Sequence, residues 1–476
     1  MVVKVFLESS RLRTILIVGT AGRLVIAPFF AHAVDMFHWY EIGTGLLHNE
    51  IPLSNFFTPY QYSFFLFVFP ATILFEFLSQ HVWTGFTLMS SLPPALNPGA
   101  HWGVTVVPGL VFDFLLKLPL ILSDLLIGLF LYRILVKISG DERLARVGAA
   151  MWMLNPLAIW ISSGWGMFDT FPALFTVLTV YLCLEGRFEF AGASLILSIA
   201  MKYYAVVLLF PFLLFVWRTG GTQKVPRVLL VCAGLGAALF LPSAMATTSN
   251  FFQLAGTSSS LVATYYPGLS FWTLVFTLFP NFNDTVPSSL ILAAGLLAVY
   301  ACVWRARATG AGMLVLSFAL PLALTLVFFR FVGENFFVWL LPFAIILAAG
   351  DRNQSLILWG LSFLALFSSF TDSLLPYYML PMAPWIGGYL ADALSVATPY
   401  RTSPGGSAVA GIKVGLVYLS AIGVLTSATV LLLIWTWLKK PTNSFASKGR
   451  LVAAADSAWT VPNGGDALRC FPESGG

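Results

Sequence analysis

Residues 191–217 read AGASLILSIAMKYYAVVLLFPFLLFVW, an apolar run with one charged residue, Lys202, near its middle. The run is longer than the roughly 20 residues a helix needs to cross about 30 Å of hydrocarbon. It nevertheless begins just after the polar turn at 185–189 and ends at Arg218, Lys224 and Arg227, so both of its ends belong on one side of a membrane. The expected structure is two half-helices meeting near Lys202. A lysine at such a tip requires a polar cavity around it.

The rest of the chain has the same character. Of 476 residues, 58% are hydrophobic and only 9% charged, with a mean hydropathy of +0.87. That is too little polar surface to cover a water-soluble globule of this size. The apolar residues are grouped in runs of near-spanning length, such as 225–241, 288–304 and 412–438. Uninterrupted runs of that kind are helices and not barrel strands, which predicts an all-α polytopic membrane protein. The net charge of +5 lies mostly in short basic loops. It is a topology signal and gives no case for a nucleic-acid partner. The clusters Arg11 with Arg13, Lys137 with Arg143 and Arg146, Arg218 with Lys224 and Arg227, Arg305 with Arg307, and Lys439 with Lys440 are expected to be cytoplasmic. The first run, 14–34, contains Arg23 and lacks a small-residue cleavage site, so it reads as a retained helix.

These basic loops constrain the ambiguous segments. The helix expected at 107–135 ends at the basic loop 137–146 and must run inward. A full crossing by the short apolar piece 64–78 would reverse it. Residues 35–106 are therefore expected to form a large first outer loop, whose aromatic piece (Phe56, Phe57, Tyr60, Tyr62, Phe64, Phe65, Phe67) lies in the interface. About ten spans follow from this scheme, with re-entrant or interfacial pieces and the unplaced segment 374–397 raising the range to 10–13 helices over residues 1–440. Residues 441–476 read as a polar, disordered cytoplasmic tail. Cys183, Cys232, Cys302 and Cys470 have no metal or disulfide spacing and read as free thiols.

Ionisable groups at membrane depth are costly, so each is a candidate for function, with structural pairing as the competing explanation. Asp113, Lys117 and Asp124 are four and seven residues apart, which places them on one inward stripe of a helix. An internal Asp113–Lys117 pair would explain part of that stripe. Asp35, Asp169 and Glu334 all fall at outer helix ends in this topology, with Arg330 beside Glu334, and Lys202 joins them if the hairpin is right. Helix capping is the bland alternative for Asp169 and Glu334. His38 and His48 are lone histidines with no ligand spacing.

Several of these stretches together resemble a known family. They are Asp35 with 43–52 after it, Lys117-Leu-Pro-Leu-Ile-Leu-Ser-Asp124, Asn155-Pro156 leading to Trp165-Gly-Met-Phe-Asp169-Thr170, Ala200-Met-Lys202-Tyr203-Tyr204, and Glu334-Asn-Phe-Phe-Val-Trp339. In this order they are similar to polyprenyl-phosphate-sugar-dependent glycosyltransferases of the GT-C fold, nearest the mannosyltransferase branch. That branch includes the catalytic subunit of GPI mannosyltransferase I and prokaryotic relatives. The resemblance covers about residues 14–350.

It implies a hexose, mannose first, moved with inversion from a polyprenyl (dolichyl) phosphate donor to a hydroxyl of a glycan or glycolipid. The reaction would take place on the outer or lumenal face of a prokaryotic cell membrane or the endoplasmic reticulum. Asp35 and Asp169 are then the expected catalytic carboxylates, with Lys202, Arg330, Glu334, Asp124, Lys117, Tyr203 and Trp165 on the substrate. Relatives often carry paired acids after the first helix, whereas Val34-Asp35-Met36 offers one, so no metal ligand set is expected and a divalent metal remains only an option. Trp39, Tyr60 and Trp165 are candidates to stack on sugars, as well as interfacial anchors. A secondary transporter or lipid-linked-sugar flippase would share the broken helices and buried charges, but no repeat relates the two halves of the chain. A non-catalytic subunit of a larger complex is the third reading.

Overall fold

The computed structural model describes residues 10–48, 67–93, 96, 104–246, 268–279, 285–306, 310–372, 375–397, 408–409 and 412–439. The expected tail 441–476 lies outside the described residues, as do most of the loop aromatics, Arg307, Lys440 and Cys470. The chain is an all-α multi-pass membrane protein. Its β structure among the described residues consists of two-residue strands, such as Thr87–Leu88 pairing antiparallel with Val106–Val107, and an isolated bridge between Gly268 and Val332.

The helices are α1 (Ser10–Ile26), α2 (Ala33–Leu47), α3 (Phe69–Ser79), α4 (Leu110–Ser139), α5 (Glu142–Met153), α6 (Thr170–Leu184), α7 (Phe188–Met201), α8 (Leu209–Gly220), α9 (Lys224–Ala246), α10 (Thr285–Arg305), α11 (Ala311–Phe328), α12 (Phe337–Ala348), α13 (Arg352–Asp372), α14 (Ala383–Ala397) and α15 (Val414–Lys439). Seven stretches among the described residues are long and apolar enough to cross a membrane alone, or eight if the bent pair Glu142–Met153 and Pro156–Trp165 is one span. That is fewer than the 10–13 expected. The difference lies in α1, α6, α7 and α12, which join the same two ends of the bundle at shorter length. A helix of 15 residues such as α6 rises only roughly 22 Å. Three of these short helices have an end at the site described next.

One end of the bundle is basic. Lys137 pairs with Glu185 at 2.9 Å and Lys224 with Glu189 at 3.6 Å, while Arg218 donates to the carbonyls of Val303 and Trp304. The turn between α6 and α7 and the starts of α5 and α9 therefore meet there, as the charge pattern requires. α3 has 11 residues, too few to span, and packs through Phe75 on Phe112 of α4 with ring centroids 5.4 Å apart. Cys183, Cys232 and Cys302 form no disulfide among the described residues.

The run 191–217 folds as a hairpin. α7 climbs from the basic end and stops at Lys202, whose backbone is extended (φ −155°, ψ 118°). A 3-10 turn, Tyr203–Leu208, follows, and α8 returns. α6 and α7 are antiparallel neighbours zipped by small polar residues: Thr179 Oγ1 donates to the Ala191 carbonyl (3.4 Å), Ser194 Oγ to Phe175 (2.8 Å) and Ser198 Oγ to Pro172 (2.9 Å). Small residues let membrane helices approach closely, and their hydroxyls bond across the gap. The register of those three contacts, continued one turn further, brings Asp169 opposite Lys202.

The topology gives a direct test. In a cysteine-free background, Glu142→Cys at the basic end is expected to react with an impermeant thiol reagent only after permeabilisation. Ser91→Cys, in the segment between α3 and α4, is expected to react from outside. Labelling of both from one side contradicts the arrangement.

Candidate active site

Two breaks in helical geometry create the site. The first follows α5. Pro156 has no N–H to continue the helix, and Asn155 restarts it by accepting from the amides of Leu157 and Ala158 while its amide donates to Ser362 Oγ. The axis bends by 47° and the segment ends as a π-helical turn, Trp160–Trp165. Gly166 terminates it at φ +88°, where a Cβ would stand 2.0 Å from Met36 Cε and 2.8 Å from Lys117 Cε. Only glycine fits that close approach with a left-handed backbone. The turn delivers Trp165 and Phe168-Asp169 to the mouth of the bundle. The second break is at Lys202.

Asp169 occupies the N-cap position of α6 but makes no side-chain cap bond. Its carboxylate instead receives Lys202 Nζ at 2.5 Å and Trp339 Nε1 at 2.6 Å on Oδ1, and Asn335 Nδ2 at 2.7 Å on Oδ2. The Asp169 side chain is fully buried and that of Lys202 is 7% exposed. The ammonium also lies over the rings of Phe168, Phe336 and Trp339 at 5.1, 5.1 and 5.3 Å, which adds cation–π attraction in a desolvated setting. Tyr204 stacks on Trp339 at 3.6 Å, with the rings 3° from parallel.

Asp169, an expected catalytic carboxylate, is held here by residues of α7 and of the start of α12. A sealed carboxylate with three donors is a junction between α6, α7 and α12. The tighter 3-10 turn after Lys202 turns Tyr203, expected on the substrate, outward, 51% exposed, and Tyr204 inward.

Asp35 is the more open carboxylate, with 26% side-chain exposure. Trp165 Nε1 donates to its Oδ2 at 2.6 Å and His32 Nδ1 stands 2.9 Å from the same oxygen. Burial pushes the Asp35 carboxyl up. His32, by charge and hydrogen bond, the Trp165 hydrogen bond and the charge of His38 outweigh it, so the group lies below its ordinary value and stays ionised at neutral pH. Lys202 is within electrostatic reach of Asp35. Asp35, Trp165, Asp169 and Lys202 thus gather at one place. Arg330 and Glu334, 6% and 7% exposed, flank Asn335 at the start of α12.

Lys117, whose side chain lies against Gly166, and Asp124, two turns further along α4, bond to other partners. Lys117 is fully buried and donates to the carbonyls of Ala27 and Phe30. It clamps the last carbonyls of the α1 end, which lack helical partners, rather than pairing with Asp113. Neither oxygen of Asp113 has a donor among the described residues. Asp124 pairs with Arg23 at 2.6 Å, both side chains fully buried, and Arg23 Nη1 also bonds the carbonyls of Gly19 and Met153. Both residues lie on the inward stripe, where Lys117 joins α4 to the end of α1 and Asp124, through Arg23, joins α4 to α1 and α5.

Trp39 packs against Phe67 and Phe168, Tyr60 lies outside the described residues, and His38 and His48 sit beside Glu41 and Glu76. No group of three His, Cys, Asp or Glu arranged for a metal occurs among the described residues. Sequence reasoning missed His32, Tyr204, Asn335, Trp339 and Tyr378. Asn335 and Trp339 carry no charge to mark them, although both stand in the stretch 334–339 quoted above.

A stretch of 108 residues is 34% identical to the GPI alpha-1,4-mannosyltransferase I catalytic subunit of Danio rerio. It covers 22% of this chain and 27% of that protein. The similarity thus spans about a quarter of the relative's length. No family model matches the chain. The likeness supports a distant relation to a glycosyltransferase.

The Arg23–Asp124 pair yields a prediction. Asp124→Ala strands a buried guanidinium, and breaking a buried pair from one side costs about 3–5 kcal/mol. The expected result is a large fall in thermal unfolding temperature in detergent, partly recovered in Arg23→Met/Asp124→Leu. Unchanged stability with weakened substrate binding would place Asp124 on the substrate instead.

Proposed function

We propose that this protein is an inverting membrane glycosyltransferase that moves a hexose, mannose being the first candidate, from a polyprenyl-phosphate donor to a hydroxyl of a glycan or glycolipid. The reaction takes place at the end of the bundle opposite the basic loops, the outer or lumenal face. The supporting observation is the contrast between two neighbouring carboxylates. Asp169 is sealed under a lysine, an indole and an amide, whereas Asp35 is ionised, partly open and held on one oxygen only. The partial likeness to a mannosyltransferase catalytic subunit points the same way.

The chemistry requires a base, positive charge at the leaving group and a recessed place for both. Asp35 takes the proton of the acceptor hydroxyl as its oxygen attacks the anomeric carbon from the face opposite the phosphate. The bond from that carbon to the phosphate oxygen breaks, and the electron pair leaves with the lipid phosphate. Attack from the opposite face inverts the anomeric configuration. Arg330 and Lys202 supply the positive charge that the departing phosphate needs, and Glu334 bonds sugar hydroxyls. Asp169 acts as a positioning residue, fixing Lys202, Asn335 and Trp339 in one rigid unit. The short helices leave this group below the membrane surface, where the head of a lipid-anchored donor can reach it while its isoprenoid tail runs along the lipid.

Asp35→Asn keeps the shape of the side chain and removes the base. It is expected to abolish transfer, a loss of 100-fold or more on the order of general-base contributions, with donor binding, folding and membrane insertion retained. Near-wild-type turnover would overturn the assignment.

A further inference from the structure

The turn between α1 and α2 holds a histidine that the proposed reaction does not otherwise use. His32 is fixed from several sides. Its backbone N–H donates to the Trp165 carbonyl at 3.2 Å. Its ring lies between those of Trp165 and Tyr378, at centroid distances of 5.0 and 5.5 Å. Tyr378 is held in turn, since its carbonyl accepts from the Ala31 amide at 2.7 Å. Nδ1 of His32 stands 2.9 Å from Asp35 Oδ2 and 3.4 Å from the Asp35 amide nitrogen. One ring nitrogen cannot donate to the carboxylate and accept from the amide at once. The shorter, charge-assisted contact wins, so Nδ1 carries the proton and donates to Oδ2.

Trp165 Nε1 reaches the same Oδ2 at 2.6 Å. Two donors thus converge on one oxygen of Asp35, while Oδ1 has no donor among the described residues. We infer that His32 is a positioning residue for Asp35: with Trp165 it pins Oδ2, turns the carboxylate and leaves Oδ1 as the oxygen that receives the acceptor's proton. This rests on reading Asp35 as the base. The other charged groups around Asp35 are His38 on the next turn of α2, itself beside Glu41, and Lys202 across the site, itself paired with Asp169.

Two readouts test the inference, one of which needs no turnover. In the first, the transfer rate is followed against pH for wild type, His32→Ala and His32→Asn. A donor on Oδ2 favours the ionised carboxylate, so its removal in His32→Ala is expected to shift the acidic limb to higher pH. kcat should fall by up to about 100-fold, the cost of a misplaced catalytic group, with little change in donor KM. His32→Asn, whose amide can still donate to Oδ2, is expected to restore most of the rate.

In the second, the infrared carboxyl-stretch band assigned to Asp35 by subtraction of the Asp35→Asn spectrum is titrated. In His32→Ala the band of the protonated acid is expected to persist to higher pH. An Asp35 titration unchanged by His32→Ala would overturn the inference, whatever happens to stability. Absence of transfer in the wild type would count against the glycosyltransferase reading alone, because the infrared titration stands without it.

Discussion

A lysine at the tip of a membrane hairpin is tolerated only if its charge is met, and the ion pair between Lys202 and Asp169 meets it. Everything near the site depends on that contact. The pair joins the start of α6 to the end of α7, and through Asn335 and Trp339 it also fixes the start of α12. Removing one partner would leave a buried charge, the most costly defect a protein interior can carry. The hydroxyl contacts between α6 and α7 set the register that makes the pair possible, and the aromatic faces of Phe168, Phe336 and Trp339 exclude water from it.

The same arrangement separates two carboxylates by environment. Asp169 gives three of its roughly four acceptor sites to the scaffold. Asp35 sits on α2 after the turn that follows α1, and is anchored on Oδ2 by Trp165 and His32. The π-helical turn before Gly166 links the two, because it delivers Trp165 to one carboxylate and Asp169 to the lysine within a few residues. A bend of 47° enforced by Asn155-Pro156 thus acts on the chemistry through the placement of one indole.

Much of this was legible in the sequence because membranes punish charge. The break at Lys202, the basic end and the inward stripe of α4 all follow from where Lys, Arg, Asp and Glu interrupt apolar runs. What stayed hidden was pairing across distance. Arg23 and Asp124 are 101 residues apart, and no local pattern joins them. Lys117 turned out to serve backbone carbonyls, which are present at every position and leave no mark in a sequence. Of the adjacent Tyr203 and Tyr204, the 3-10 turn after Lys202 buries the second and exposes the first, a choice that two identical neighbours do not disclose.

The account turns on whether a sugar–phosphate bond is broken at this recessed cluster. The direct measurement uses purified protein reconstituted in liposomes, given a polyprenyl-phosphate hexose labelled in the sugar together with a glycolipid acceptor. The predicted result is label joined covalently to the acceptor with inverted anomeric configuration, and one free polyprenyl phosphate for each sugar moved. Passage of the intact donor across the bilayer, its sugar–phosphate bond unbroken, would contradict it.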